Sequence, residues 1–233
     1  MKFKFISLFI SLGILVNFAN ADKAKNLIVP NKNVPVNKNL ETYKEGVDYT
    51  PLISPPDLPA VPKGKVLVQE FFSFSCPHCA HAEKFVEQFL YKNNKVMLQR
   101  IQVLWGDATD GYAKLNQTLI AKNLPNLYTP IFDEVAREQD KENVEMVKGI
   151  NKPETITEIL QQIKMSKAQI KDFFDTYNSF TIQTQVNQTK TILDKDNINS
   201  TPTFIVANKY LISGASPERE MQVILYLVTK LAK

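Results

Sequence analysis

The sequence predicts an α/β fold: a mixed sheet with flanking helices, interrupted by a segment that is all helical. Two observations predict it. A strand–helix–strand order in the first part of the chain forms a βαβ unit, and strand patterns return only after a helical stretch at roughly 110–195. Of the 233 residues, 44% are hydrophobic, which is ordinary for a soluble globular protein with a substantial core.

The first 21 residues have the pattern of a signal peptide. Lys2 and Lys4 precede an apolar run at 5–16, and Ala19-Asn20-Ala21 is a small-residue cleavage pattern. The run is shorter than the roughly 20 residues that a membrane-spanning helix needs, so cleavage is favoured over an uncleaved anchor. Loss of the two lysines lowers the formal net charge from +4 to +2. So small a charge gives poor support for nucleic-acid binding.

The mature chain would open with an extended leader at 22–45, because many of the prolines fall in and just after it. The patterns that follow predict four elements of the first fold segment. They are a short edge strand near Gly46–Leu52, a buried strand at 65–74, an amphipathic helix at 77–91 and a second strand at 95–105.

The helical stretch has clear start signals, and strands follow it. Pro153 suits the first turn of one helix, and Ser166 with Gln169 forms a capping-box pattern at the start of another. Beyond the helices we expect two strands with a tight turn at Asn208-Lys209 between them, then a last helix. The strands lie at Thr203–Val206 and around Tyr210–Ile212, and the helix runs from 217 to about 231.

The chemistry is concentrated in Cys76-Pro-His-Cys79-Ala-His81, which holds both cysteines and both histidines of the chain. A Cys-x-x-Cys between a strand and a helix is typical of a dithiol redox site. With Cys76 at the N-cap and Pro77 at the first helical position, backbone N–H groups and the positive end of the helix dipole favour a Cys76 thiolate. We therefore expect Cys76 to form the mixed disulfide with a client protein and Cys79 to resolve it.

The two residues between the cysteines indicate the direction of exchange. A hydrogen-bond donor or partial positive charge at His78 would stabilise the Cys76 thiolate, and with it the reduced state. Each pKa unit of such stabilisation is about 1.4 kcal/mol, or roughly 30 mV in the two-electron potential. The Cys76–Cys79 pair is therefore predicted to be oxidising, so that its disulfide is donated to other proteins.

The motif also allows interpretations other than a redox site. Haem attachment requires a histidine at position 80, where the chain has Ala80. A zinc or copper site from both cysteines and a histidine would crowd its ligands into one turn of chain. A purely structural disulfide would close a four-residue loop and remove little unfolded-state entropy. His81 by itself is interpreted as a solvated or packing residue, and no metal is predicted.

Two further residues are candidates for the site. Pro202 directly precedes the strand at 203–206, and a cis Thr201–Pro202 bond would hold that backbone against the Cys76 sulfur, although trans is commoner. Glu70 lies inside an apolar strand six residues before Cys76. If it is buried, its raised pKa would let it accept a proton during exchange; the alternative is a solvated residue on a half-exposed strand.

The segment Glu70-Phe-Phe-Ser-Phe-Ser-Cys-Pro-His-Cys79 closely resembles the active site of the DsbA-type periplasmic thiol:disulfide oxidoreductases. The resemblance runs from roughly Leu40 to the C-terminus and includes Gly46–Tyr49, Met165–Ala168, Tyr177–Phe180 and Thr201–Val206. It implies a thioredoxin-like fold interrupted by a helical insertion domain. The implied divisions are a signal peptide at 1–21, the leader at 22–45, thioredoxin-like parts at 46–106 and 196–233, and the insertion at 107–195.

The resemblance also implies roles for individual residues. Cys76 would be the nucleophile, Cys79 the resolving thiol, His78 with Pro77 the thiolate-stabilising pair, Glu70 the buried acid, and Thr201-Pro202 the client-binding cis-proline loop. Thr201 departs from the valine of enteric members, so its hydroxyl is expected to shift client preference or potential. The leader is longer than usual and could be a spacer or an arm that forms a homodimer.

The predicted function is that of an exported protein disulfide oxidoreductase in the periplasm. It would donate its redox-active Cys76–Cys79 disulfide to reduced or unfolded secreted proteins, without another cofactor and without nucleic acid. A DsbB-type membrane oxidase linked to quinone would re-oxidise it. The alternatives are a disulfide isomerase or reductase, which must be kept reduced, and a thiol-based copper-binding protein.

Overall fold

The computed structural model describes residues 43–52, 61–105, 109–140, 153–196 and 198–232. The predicted signal peptide and nearly all of the predicted leader lie outside these residues. In the described part, five strands form one mixed sheet in the order β1-β5-β4-β2-β3. They are β1 Thr50–Pro51, β2 Val66–Phe72, β3 Val96–Gln102, β4 Thr203–Val206 and β5 Tyr210–Ser213. The predicted mixed sheet with flanking helices is confirmed.

The central strand β2 explains the long apolar run in the sequence, because all seven of its residues are buried. It pairs in parallel with β3 and antiparallel with β4. On one face Val66 and Val68 pack with residues of the last helix, and on the other Phe71 packs with Ile101 and Ile205. A strand covered on both faces shows no alternation of polar and apolar residues.

The helix that follows β2 changes type along its length. Residues Pro77–Phe85 form α1, which continues directly as a π-helix at Val86–Tyr91. The predicted extent, 77–91, is confirmed, whereas the change of hydrogen-bonding pattern leaves no signal in the apolar periodicity. The buried face of this amphipathic helix includes Ala82, Val86 and Leu90, which are four residues apart in the sequence. Phe85 and Phe89 instead stack on each other, half-buried, with their centroids 6.4 Å apart.

Five α-helices and a short 3₁₀ helix are described between β3 and β4. They are α2 Thr109–Ala121, the 3₁₀ helix Pro125–Leu127, α3 Tyr128–Asp140, α4 Pro153–Gln162, α5 Lys167–Tyr177 and α6 Phe180–Asp196. Pro153 opens α4, and the Ser166–Gln169 capping box of α5 is present, as predicted. Apolar residues of α2 to α5 form one core with Phe72, Phe74 and Cys79. The helical segment therefore packs against the buried cysteine.

The β4–β5 hairpin corrects the predicted turn by one residue. The two residues with left-handed backbone are Ala207 (φ 52°) and Asn208 (φ 56°), and the N–H of Lys209 donates to the carbonyl of Val206 at 3.0 Å. A two-residue hairpin turn of this type needs positive φ at both central positions. The prediction of Asn208-Lys209 was wrong because alanine carries no sequence signal for that conformation.

The edge strand is shorter than predicted. Only Thr50 and Pro51 of the range Gly46–Leu52 pair with β5, since the preceding residues form a turn in which the backbone N–H of Lys44 donates to Asp48 at 2.8 Å. The last helix, α7 Pro217–Leu231, has the predicted extent, and Ser216 is its N-cap. Among the helices described, none is both long and apolar enough to cross a membrane.

Candidate dithiol site

Cys76 is the N-cap residue of α1, between the end of β2 and the first helical turn. Its backbone is extended (φ −92°, ψ 115°), and Pro77 follows at the first helical position. The backbone N–H of Cys79 donates to the Cys76 sulfur at 3.3 Å. This is the arrangement by which a helix N-terminus stabilises a thiolate.

The two cysteines are free thiols in strongly different environments. Cys76 is half-buried, whereas Cys79 is fully buried. The pKa of Cys76 is lowered to about 5, first because the Cys79 thiol donates to it and then through the Thr201 side chain and the N–H groups of Cys79 and His78; partial burial opposes this. Burial raises the pKa of Cys79 far above its usual range, and the adjoining Cys76 raises it further.

The loop before β4, which lies near the C-terminal end of the sequence, contacts Cys76. The Thr201–Pro202 peptide bond, whose isomer the sequence left open, is cis. The Cys76 thiol donates to the Thr201 carbonyl at 3.5 Å, across 125 residues of sequence. The Thr203 hydroxyl donates to the Ser200 carbonyl at 2.8 Å and ties the loop to the start of β4. The structure thus brings Cys76, Cys79, Thr201 and Pro202 together.

The two histidines differ in what they contribute to the site. The side chains of His78 and His81 are both exposed. His78 acts on Cys76 through its backbone N–H, and no described hydrogen bond joins its imidazole to the sulfur. In the part of the chain that the structure describes, no group of three His, Cys, Asp or Glu side chains is placed to hold a metal ion.

Glu70 is fully buried, so the alternative of a solvated residue is removed. It lies opposite Arg100 of β3 in the parallel ladder, and Arg100 donates to its two carboxyl oxygens at 2.7 and 3.3 Å. Burial raises the pKa of Glu70 to about 7, Arg100 opposes that rise, and Glu83 adds to it.

Arg100 and Glu83 are site residues that the sequence analysis missed. The Arg100 guanidinium also donates to Glu83 of α1, at 3.1 Å from Nη1, and it lies 3.7 Å from the ring centroid of Tyr128. We call Glu70, Glu83 and Arg100 the buried charge cluster. The sequence signals for it were an arginine inside the second predicted strand and a glutamate next to Ala82 in the amphipathic helix.

Two glutamines, also missed, hold the loop that carries Cys76. Gln102 accepts from the backbone N–H of Phe74 at 3.1 Å and donates to the Ser73 hydroxyl at 3.2 Å. Gln139 of α3 donates to the Ser75 carbonyl at 2.9 Å. Gln102 is fully buried at the end of β3, where a polar side chain needs hydrogen-bond partners. The sequence showed only a glutamine near the end of a predicted strand.

The family model and the related sequences that match this chain all point to the same group of proteins. Residues 61–225 match a family model described as Thioredoxin. The chain is 29% identical over 212 residues to the thiol:disulfide interchange protein DsbA of Burkholderia cepacia, covering 90% of this chain and 86% of that protein. It is also 29% identical over 190 residues to the DsbA of Azotobacter vinelandii, covering 79% of this chain and 83% of that protein.

Solved structures agree with this grouping. The crystal structure of Pseudomonas aeruginosa DsbA superimposes with a TM-score of 0.67 at 25% identity, over 81% of this chain and 94% of that one. Reduced DsbA1 from Neisseria meningitidis gives a TM-score of 0.67 at 27% identity, over 82% and 95% of the two chains. The likeness therefore covers the sheet and the helical segment together.

Proposed function

The chain belongs to the thioredoxin family and is a thiol:disulfide oxidoreductase of the DsbA type, and from this premise we propose that its Cys76–Cys79 disulfide is donated to reduced secreted proteins. The observation that carries the proposal is the asymmetry of the two sulfurs. Cys76 is accessible and surrounded by donors, and Cys79 is buried behind it. An isomerase or a copper-binding protein is not favoured by the relatives.

The exchange follows from that asymmetry. A client thiolate attacks the Cys76 sulfur of the disulfide, the S–S bond breaks, and its electron pair goes to Cys79, which takes a proton. A second client thiolate then attacks the client sulfur of the mixed disulfide and expels Cys76 as a thiolate. The client loses two electrons and the dithiol gains them. Cys76 is a good leaving group because its pKa is lowered to about 5.

The surrounding residues have proposed roles in these steps. Pro77 and the His78 N–H hold the helix start against the Cys76 thiolate. Thr201 and Pro202 form the surface beside Cys76 on which a client backbone would lie. Glu70 supplies the proton that Cys79 takes up, since burial raises its pKa to about 7. The exchange itself uses no cofactor besides the disulfide.

We propose the cellular setting on the same basis. The signal-peptide pattern at 1–21 and the likeness to DsbA proteins, which are periplasmic, support export to the periplasm. Reduced substrate proteins are the partners, and a DsbB-type quinone-linked membrane oxidase would restore the disulfide. The leader at 22–45 lies almost wholly outside the described residues, and its role in a homodimer is a proposal from its length. Equal size-exclusion volumes with and without 22–39 would refute that role.

The reduction potential of the Cys76–Cys79 pair tests the direction of exchange. The protein is equilibrated with defined glutathione buffers, and the dithiol fraction is read by thiol-specific mass labelling. We expect a potential clearly more oxidising than the roughly −270 mV of thioredoxin. A value near that of thioredoxin would overturn the donor proposal while leaving the exchange chemistry intact. The variant Cys79→Ser, which cannot form the disulfide, is the negative control.

A further inference from the structure

We propose that a groove along the edge of β3 binds an uncharged, extended segment of the client protein, which adds to the sheet as a further strand beside β3. The groove lies between β3, α2 and α6 and has a volume of about 450 Å³. The proposal rests on the thiol–disulfide exchange proposed above, and it names a place apart from the Cys76 sulfur at which the client is held.

The first argument is that β3 presents backbone groups without partners. It is the last strand of the described sheet, where it pairs with β2. The Lys95 carbonyl and the Val103 N–H both bond to β2, at 2.7 and 2.8 Å, so the backbone groups of the even-numbered residues between them face away from β2. Asn116 of α2 donates to one of these, the Arg100 carbonyl, at 2.9 Å. Among the described residues, no hydrogen bond engages the outward N–H and C=O of Leu98.

The second argument is the hydrogen-bonding capacity of the groove walls. Their amide side chains come from β3, from α2 and the turn after it, and from α6; they are Gln99, Gln117, Asn123, Gln185 and Gln188. The Gln117 amide donates to Thr189 at 3.2 Å, whereas Oε1 of Gln185 has no hydrogen-bond partner among the described residues. An unpaired acceptor inside a protein is costly. Rotation of the Gln185 amide toward the groove lets it accept from a peptide N–H.

The third argument is the charge and the polarity of the groove. Arg100 is the one charged residue among the described residues that line it, and its guanidinium is already bonded to Glu70 and Glu83. Tyr91 of the π-helix and Ile120 of α2 also line the groove, and both are exposed. Exposed apolar side chains around a few convergent polar groups are typical of a binding site. The groove therefore suits an uncharged ligand with apolar side chains and with both hydrogen-bond donors and acceptors.

An extended peptide has this chemistry, and the shape of the edge favours it over a second copy of the chain. A single strand offers N–H and C=O groups at the spacing that the edge at Leu98 requires. In a second copy, the contact of Asn116 with Arg100 again holds α2 against the edge. Two β3 edges would therefore meet with α2 of each copy between them, whereas a slender peptide fits beside one edge.

The position of the groove connects it to the reacting cysteine. Leu98 is the register partner of Val68, which precedes Cys76 by eight residues. Eight extended residues and one strand spacing together span at most about 34 Å, a distance that about ten client residues cover. A client strand in the groove therefore lies within reach of the client cysteine that forms the mixed disulfide with Cys76. Two contacts on one client chain raise the effective concentration of its thiol at Cys76.

The test is the binding of a capped peptide of about eight alternating Thr and Val residues to the full oxidised protein, followed by NMR of the protein amides. The peptide has no cysteine, so it cannot exchange disulfides. We expect the amide signals of Leu98 and Arg100 to shift on binding. The same peptide with an N-methyl group on every second backbone nitrogen should not bind, because it lacks the donors of a strand pair. No binding, shifts confined to the loop at Thr201–Thr203, or equal binding of the N-methylated peptide overturns the proposal.

Matched variants of the protein test the groove walls. Gln185→Leu keeps the size of the side chain and removes its hydrogen bonds, and Gln183→Leu makes the same change at an exposed position of the same helix. We expect the affinity for the peptide to fall about three- to tenfold in Gln185→Leu and to stay unchanged in Gln183→Leu. Equal affinities of the two variants overturn the proposal. A dimer in which the Leu98 amide is protected from hydrogen exchange assigns the edge to a second copy and also overturns it.

A peptide with two cysteines separates this proposal from the proposed function. It carries the alternating Thr–Val segment about ten residues from its cysteines, and its control carries the N-methylated segment. We expect the oxidised protein to form the disulfide faster in the unmodified peptide. Equal rates refute the client role of the groove and leave the proposed function intact. If neither peptide is oxidised while the unmodified one still shifts Leu98, the proposed function is refuted, and the groove is not a client site.

Discussion

Arg100 donates from Nε to Oε2 of Glu70 over 2.7 Å, between two parallel strands, at a depth where both side chains are nearly or fully inaccessible. The same guanidinium bonds to Glu83 of α1. The ion pairs therefore tie the strand that leads to Cys76 to the helix that follows it. A buried arrangement of this kind is sensitive to loss of one partner, because the others are left as unpaired buried charges.

Arg100→Met is accordingly predicted to destabilise the protein strongly. Breaking a buried pair by removing one partner costs about 3–5 kcal/mol, and chemical denaturation at neutral pH measures it. Lys171→Met removes a lysine of an exposed pair with Asp175 and should change stability by less than about 1 kcal/mol. Adding Glu70→Gln to Arg100→Met should recover part of the loss. Equal effects of Arg100→Met and Lys171→Met would contradict the stabilising role of the cluster.

The reactivity of the two thiols should differ widely. In the reduced protein, Cys76 is predicted to be alkylated by iodoacetamide with a midpoint near pH 5, since its pKa is lowered to about 5. Cys79 should remain unmodified under the same conditions, because it is buried and its pKa is raised. Peptide mass mapping assigns the label. Cys76→Ser should abolish fast labelling, and preferential labelling of Cys79 in the wild-type protein would reverse the assigned roles.

The local part of the site could be predicted from the sequence because its determinants are adjacent in the chain. Cys76 at the N-cap and Pro77 at the first helical position follow from the strand-to-helix switch alone. Burial of Glu70 was left as one of two alternatives, since an acid in an apolar strand can face either way. Its partner Arg100, 30 residues later, follows only from the register of two strands, which no local pattern specifies.

Long-range contacts account for what the sequence did not show. Gln139 reaches Ser75 across 64 residues, and no local sequence pattern indicates that contact. Glu220 resembles a surface charge in the first turns of an amphipathic helix, a position where acids are common for electrostatic reasons. Its burial depends on how α7 packs on α1 and the sheet. Tertiary packing therefore decides which charged residues are buried.

Thr201→Val is predicted to raise the pKa of Cys76, because the Thr201 side chain is one of the groups that lower it. The thiolate, followed by its ultraviolet absorbance as the pH is changed, should form at higher pH than in the wild-type protein. The reduction potential should become less oxidising, since the reduced state loses stabilisation. Thr229→Val, at an exposed position of α7, is the matched control. An unchanged Cys76 titration in Thr201→Val would exclude a contribution of the hydroxyl.

The stability difference between the reduced and oxidised proteins should depend on pH. The pKa of Cys76 is about 5 in the folded protein, below the roughly 8.5 of an unfolded cysteine. A group whose pKa is lower in the folded than in the unfolded protein stabilises the folded state. This stabilisation is complete above the unfolded pKa and is lost as the pH falls through the folded pKa.

A comparison of the reduced and oxidised proteins isolates this contribution, because only the reduced protein has the Cys76 thiolate. Groups that titrate alike in both forms cancel in the difference. Urea unfolding of both forms from about pH 4 to pH 8 should therefore show the reduced form gaining relative to the oxidised form as the pH rises. Cys76→Ser has no oxidised form, and its stability should lack the rise with pH that the thiolate gives to the reduced wild-type protein. A slope of opposite sign in the wild-type difference would contradict the stabilised thiolate.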